Sequence, residues 1–186
     1  MDIAGLVVVM SQTQLMQAAS MSILKMAMNG PAELALDNTP GIEPVIHAID
    51  TITEKYDYVL LLQPTSPLRK VEDIDLCIEK CIESAVPACV SICEVDHSPY
   101  WMFVKDEQKR LKPIIKMEGQ FSRRQELPPV YRLNGAIYIA LCDYVRDKRS
   151  FLSDKTIGYE MSVNNSLDID TEYDFKLAEV IMTKQL

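Results

Sequence analysis

The sequence predicts an α/β fold: a mostly parallel sheet with helices on both faces. Two observations carry this. Short apolar runs at Val59–Leu62, Ala88–Val95 and Gly135–Leu141 have the length and continuity of strands buried on both sides. Between the earlier runs stand stretches of helical period, so successive strands are joined by crossovers of the right-handed kind.

Taken in order, Leu6 to Val9 reads as a short buried strand. Residues 11–28 are rich in Met, Gln and Ser, with helix-forming composition but a poor apolar stripe, and Asn29-Gly30-Pro31 breaks the chain. Residues 42–54 form a helix, with Val45, Ile46, Ile49 and Ile52 on one face and Glu43, His47, Asp50 and Glu54 on the other. His47 on that polar face reads as a solvated residue rather than a ligand.

The stretch Tyr58 to Arg69, YVLLLQPTSPLR, organises the rest. Its apolar run stops at Gln63, and Pro64, Ser66 and Pro67 forbid both ladder and helix. Ligands of open α/β sheets bind at the carboxyl ends of central strands. This end offers the Gln63 amide, the hydroxyls of Thr65 and Ser66 and the Arg69 guanidinium, a set suited to a polar anion. The same residues also suit a rigid strand-to-helix turn.

The next helix spans about Val71 to Ser84, with Glu72, Asp73 and Asp75 near its start, where the helix dipole favours them, and Ile74, Cys77, Ile78, Cys81 and Ile82 buried. Ala88 to Val95 is a strand, closed by His97-Ser98-Pro99-Tyr100-Trp101. Trp101 either stacks on a ligand or packs under a loop. Residues 102–120 form a hairpin-like excursion suited to a subunit contact. Ser122 to Pro129 is an extended basic loop. Tyr131 to Asn134 leads into the Gly135–Leu141 strand, and the tail from Thr171 is an amphipathic helix.

The chain has 186 residues, 48% of them hydrophobic, enough for one domain over 1–186 with a real core. A net charge of −8 and a pI of about 4.8 argue against nucleic acid or an anionic membrane as partner. No stretch approaches the roughly 20 apolar residues of a membrane span, and Asp2 stands where a signal peptide would be positive. A cytoplasmic protein is expected. Cysteines 77, 81, 89, 93 and 142 lack the C-x₂-C spacing of a zinc site and read as small core hydrophobes.

Three constellations could carry chemistry. In extended backbone Asp168 and Asp170 face the same way, and two carboxylates at a cleft mouth suit Mg²⁺ and a substrate phosphate; they also suit a helix start, since Thr171 and Asp174 form a capping-box-like T-x-x-D. Arg123, Arg124 and Arg132 can clamp a carboxylate or phosphate, although Arg123 reads as a solvated residue. Asn134-Gly135 enters a strand where glycine permits close backbone approach.

LLQPTSPLR, EVDHSPYWMF, RRQELPPVYRLNGAIYIA and SLDIDTEYDFKLAE, in that order, closely resemble the acylneuraminate cytidylyltransferases, the CMP-sialic acid synthetases. The resemblance runs from about Pro31 to the C-terminus. It implies a Rossmann-like nucleotide-diphospho-sugar transferase fold and a homodimer with an arm at about 102–125. It implies a nucleotidyltransferase that moves CMP from CTP to a nine-carbon acidic sugar of the sialic, legionaminic or pseudaminic type and releases pyrophosphate. Asp168 and Asp170 match the family's Mg²⁺-binding, catalytic aspartates. Gln63, Arg124, Arg132 and Asn134 match positions that hold the sugar acid, Gln63 serving catalysis as well. A D-x-D glycosyltransferase that takes a nucleotide sugar is an alternative.

The N-terminus departs from the family. Members begin with a strand and a loop, Ile-Pro-Ala-Arg followed by Gly-Ser-Lys, that cradles CTP, and the chain shows neither. Leu6 to Val9 resembles the family's second strand, and Met10-Ser11-Gln12 replaces its Ser-Thr-Asp. The expected result is an N-terminally truncated cytidylyltransferase-family domain that binds sugar acid better than CTP and makes little or no CMP-sugar; a truncated, inactive relative that binds a sugar acid or a partner subunit is an alternative.

Overall fold

A computed structural model describes residues 6–10, 40–116 and 127–184. The helix-forming stretch 11–28, the break at Asn29–Pro31, and the part of the basic loop that carries Arg123 and Arg124 lie outside the described residues.

The elements run β1 (Leu6–Met10), α1 (Glu43–Thr51), β2 (Tyr58–Leu62), α2 (Val71–Glu83), β3 (Ala88–Glu94), β4 (Phe103–Lys105), β5 (Leu111–Pro113), β6 (Tyr131–Leu141), α3 (Cys142–Lys148), β7 (Thr156–Glu160) and α4 (Glu172–Lys184). Five strands form one sheet in the order β1-β2-β6-β3-β7, while β4 and β5 pair separately.

Strand alternation divides the core between the two faces of the sheet. Leu60 and Leu62 of β2, Cys89 of β3 and Ile137 and Ile139 of β6 pack with Ile74, Cys77, Ile78 and Cys81 of α2. Val59, Ala88, Val90 and Ala140 face the other way and pack with Val45, Ala48 and Ile49 of α1 and with Cys142 and Val145 of α3. Arg146 of α3 donates to Asp50 of α1 at 2.8 Å, and Arg149 pairs with Glu43, tying the two helices of that face together. Helices therefore cover both faces, as the periodicities require.

The expected mostly parallel sheet is instead mixed. Pairs β1–β2, β2–β6 and β3–β6 are antiparallel, and only β3–β7 is parallel. Strands β2, β3 and β7 do share one direction, β2 and β3 being joined by the α2 crossover. The excursion after β3 returns the chain without a crossover helix, so β6 enters between β2 and β3 in reverse. No periodicity within β6 reports the direction of its neighbours. Helix α3 and strand β7 also escape the sequence pattern, because each is short and β7 is interrupted by Gly158.

All five cysteines are free and buried. The Cys77 thiol donates to Cys89 Sγ at 3.7 Å, a bond that, with burial, holds Cys77 above its usual pKa. Burial pushes Cys81 up to about 12 and Cys142 to about 11. Thiols that keep their protons are poor metal ligands and poor nucleophiles, as a core role requires.

The hairpin of β4 and β5 stands apart from the main sheet. Phe103, Val104, Leu111, Ile114 and Ile115 on it are all exposed, as is Trp101 in the turn before it. Helix α4 buries Ala178 and leaves Tyr173, Phe175, Leu177, Val180 and Met182 exposed.

Candidate functional site

The site grows from an irregularity between β3 and β6. Val90 lies opposite Tyr138 and Ile92 opposite Leu133, so residues 134–137 of β6 bulge out of the ladder against Ser91 alone. Side chains take over the missing backbone bonds. Ile137 N–H donates to Ser91 Oγ at 2.8 Å, and Ser91 Oγ donates to Asn134 Oδ1 at 2.6 Å. Asn134 Nδ2 donates to Ser166 Oγ at 2.9 Å and to Met161 Sδ at 3.3 Å. Asn134 is 1% exposed. Its oxygen also accepts from Ala136 N–H at 3.2 Å, so both ends of the amide are engaged within the fold.

Within the bulge Gly135 adopts φ +73°, a conformation glycine enters without a Cβ penalty. A Cβ there would lie 2.7 Å from Gln63 Oε1 and 3.1 Å from Asp168 Oδ2. Gln63 stands at the carboxyl end of β2, and Asp168 comes from the loop before α4. The structure thus brings together Gln63, Gly135 and Asp168 from three distant segments.

The turn after β2 is fastened to this bulge. Arg69 Nη1 donates to Gln63 O at 3.1 Å and to Ala136 O at 2.7 Å. Burial holds the Arg69 pKa below its usual value. Arg69 therefore clamps β2 to β6 through Nη1. Ile169 N–H donates to Thr65 O at 2.9 Å and anchors the Asp168 loop to the same turn.

The two aspartates differ. Asp168 is half-buried, and its Oδ1 has no hydrogen-bond partner among the described residues. Asp170 is exposed, and its backbone N–H donates to Asp174 Oδ2 at 3.3 Å. Residues 166–170 form a loop bound to Thr65 rather than a strand. The capping pair forms: Thr171 N–H donates to Asp174 Oδ2 at 2.8 Å, and Asp174 N–H donates to Thr171 Oγ1 at 3.3 Å. The Thr171 hydroxyl, foremost among these bonds, holds Asp174 below the usual carboxylate range.

Arg132 is exposed on β6, and its guanidinium donates to Ser166 O at 3.4 Å, beside the Asp168 loop. Arg124 lies outside the described residues. No cluster of three or more His, Cys, Asp or Glu that could hold a metal occurs among the described residues. The buried, unpartnered Asp168 oxygen is nonetheless the kind of hard donor that Mg²⁺ takes when a substrate phosphate completes its shell. Ser91 and Ser166 carry little local sequence signal beyond a lone serine inside the apolar strand ACVSICE.

The layering is that of an α/β domain of Rossmann-like fold. A solved structure of CMP:2-keto-3-deoxy-manno-octonic acid synthetase complexed with CTP matches with a TM-score of 0.54 at 13% identity, over 81% of this chain and 70% of that one. The CMP-N,N'-diacetyllegionaminic acid synthase of Legionella pneumophila is 35% identical over 157 residues, 81% of this chain and 66% of the relative. The N-acylneuraminate cytidylyltransferase of Streptococcus agalactiae serotype V is 34% identical over 145 residues, 77% of this chain and 34% of the relative. The chain belongs to the acylneuraminate cytidylyltransferase family.

Residues 3–45 match a different family model, described as "Putative motility protein". This match covers Leu6 to Val9, the run likened above to the family's second strand. No helix among the described residues is long and apolar enough to cross a membrane.

Proposed function

We propose that the protein is a cytoplasmic cytidylyltransferase that moves CMP from CTP to a nine-carbon acidic sugar, giving the CMP-sugar and pyrophosphate. The carrying observation is the convergence of Gln63, Gly135 and Asp168 at the carboxyl end of β2, where ligands of such sheets bind. Asp168 and Asp170 would hold Mg²⁺, which when bound would neutralise charge on the phosphate oxygens. Gln63 would hold a sugar hydroxyl. Arg132, and with it Arg124, would take the sugar's carboxylate, for which a guanidinium fork is suited. Asn134, with its amide engaged, would hold the sugar acid indirectly, by keeping the bulge in place.

A second copy of the chain would cover the exposed apolar hairpin, giving a homodimer. A second reading is sugar-acid binding without turnover. It is favoured by the six glycines of the sequence, at 5, 30, 41, 119, 135 and 158, none of which forms a G-x-G-x-x-G phosphate loop. A pyrophosphate-release assay with CTP, Mg²⁺ and N-acetylneuraminate or legionaminate separates the two. Sugar-dependent release supports transfer, and binding of the sugar without release supports the second reading.

A further inference from the structure

We propose that Ser166 is a positioning residue for Asp168. Its hydroxyl pins one end of a short span of the loop, Thr65 pins the other, and the carboxylate between them is held ready for a divalent cation. Ser166 is buried, and each of its polar atoms is engaged. Its N–H donates to Val163 O at 3.1 Å. Its Oγ donates to Ser162 O at 2.8 Å and accepts from Asn134 Nδ2 at 2.9 Å, and its carbonyl accepts from the Arg132 guanidinium at 3.4 Å. Further along, Ile169 N–H donates to Thr65 O at 2.9 Å. Only Leu167 and Asp168 lie between these two fixed points.

Each anchor refers Asp168 to the sheet. Asn134 sits at the β6 bulge and accepts from Ser91 of β3 at 2.6 Å, while Thr65 belongs to the turn that follows Gln63 at the carboxyl end of β2. Asp168 Oδ1 is buried and has no hydrogen-bond partner among the described residues, so the backbone on either side sets where it stands. A carboxylate fixed in this way binds more tightly, because its ordering is completed on folding rather than on binding. A hydroxyl can accept from Asn134 and donate to Ser162 O at once, and alanine removes both bonds together. The metal role of Asp168 rests on the functional reading above, whereas the role of Ser166 in fixing Asp168 rests on the geometry alone.

The test compares Ser166→Ala with Thr156→Val. Thr156 Oγ1 makes the same two kinds of bond, donating to Phe151 O at 2.8 Å and accepting from Ser153 N–H at 2.9 Å. It stands at the amino end of β7, the end of the sheet away from Asp168. The carboxyl carbon of Asp168 is followed by NMR in the metal-free protein, and Mn²⁺ affinity by calorimetry. Ser166→Ala is expected to move the Asp168 resonance and to weaken Mn²⁺ binding about tenfold or more. Thr156→Val is expected to lower the melting temperature and to do neither. A resonance or an affinity that Ser166→Ala leaves unchanged, or that Thr156→Val changes equally, would overturn the proposal. Should Ser166→Ala fail to fold, amide exchange in the unsubstituted protein decides: protected Ser166 and Ile169 N–H groups support the pinned span, and exchange as fast as that of an exposed loop amide overturns it. If the unsubstituted protein binds no Mn²⁺, the metal reading falls, and the Asp168 resonance still decides the role of Ser166.

Discussion

Ser91 on β3 and Asn134 on β6 are joined by a 2.6 Å hydrogen bond where the two strands lose their register. The bond stands in for backbone pairing that the bulge removes, and it holds the strand that presents Gly135 to Gln63 and Asp168.

Removing the Asn134 amide leaves the Ser91 and Ser166 hydroxyls short of a buried partner. Asn134→Ala is expected to destabilise the protein by about 3 kcal/mol, since each buried unsatisfied polar group costs about 1–3 kcal/mol. Urea unfolding measures it; a loss below about 0.5 kcal/mol, the scale of an ordinary surface substitution, would show that the network is dispensable.

The aspartates are expected to respond unequally to substitution. Asp168→Asn weakens Mn²⁺ binding about tenfold or more, a change of about 1.4 kcal/mol, because its buried oxygen has no other partner. Asp170→Asn, at an exposed position, has the smaller effect. Calorimetric titration of each variant checks this, and unchanged affinity in both would remove the metal role.

The apolar hairpin predicts a dimer at micromolar concentration. Light scattering should give twice the 21.1 kDa chain mass, falling toward that of one chain in Phe103→Ser/Leu111→Ser. A monomeric mass for the unsubstituted protein would count against the arm.

Raised thiol pKa values predict loss of stability in alkali. Cys81 and Cys142 ordinarily titrate at 9.0 and are held at about 12 and about 11 in the fold. Their contribution is complete below pH 9.0 and is lost as pH rises from there through 11 and 12, because the unfolded chain releases these protons first. Melting temperature should fall between pH 8.5 and 11, and less steeply in Cys81→Ala/Cys142→Ala. A double variant that melts in parallel with the parent protein would mean that other groups govern the decline.

Much of the fold was legible because α1, β2, α2 and β3 each carry a local period and a sharp stop. Gln63 followed by Pro64 ended β2 where expected, and Thr171 with Asp174 marked the start of α4. The direction of β6 was hidden, since strand polarity follows from the path of the chain between strands. The site was half legible. Asp168 and Gln63 stood out as polar groups after apolar runs. Ser91 and Ser166 did not, because they meet Asn134 from 43 and 32 residues away, beyond any local pattern. The clamp made by Arg69 was hidden for the same reason, its carbonyl partner on Ala136 being 67 residues distant.

The central claim is cytidylyl transfer to an acidic sugar, and the direct measurement is pyrophosphate release by the protein supplied with CTP, Mg²⁺ and N-acetylneuraminate or legionaminate. The account predicts release that requires all three components and is abolished in Asp168→Asn. Absence of release, whether or not either sugar acid binds, would contradict it.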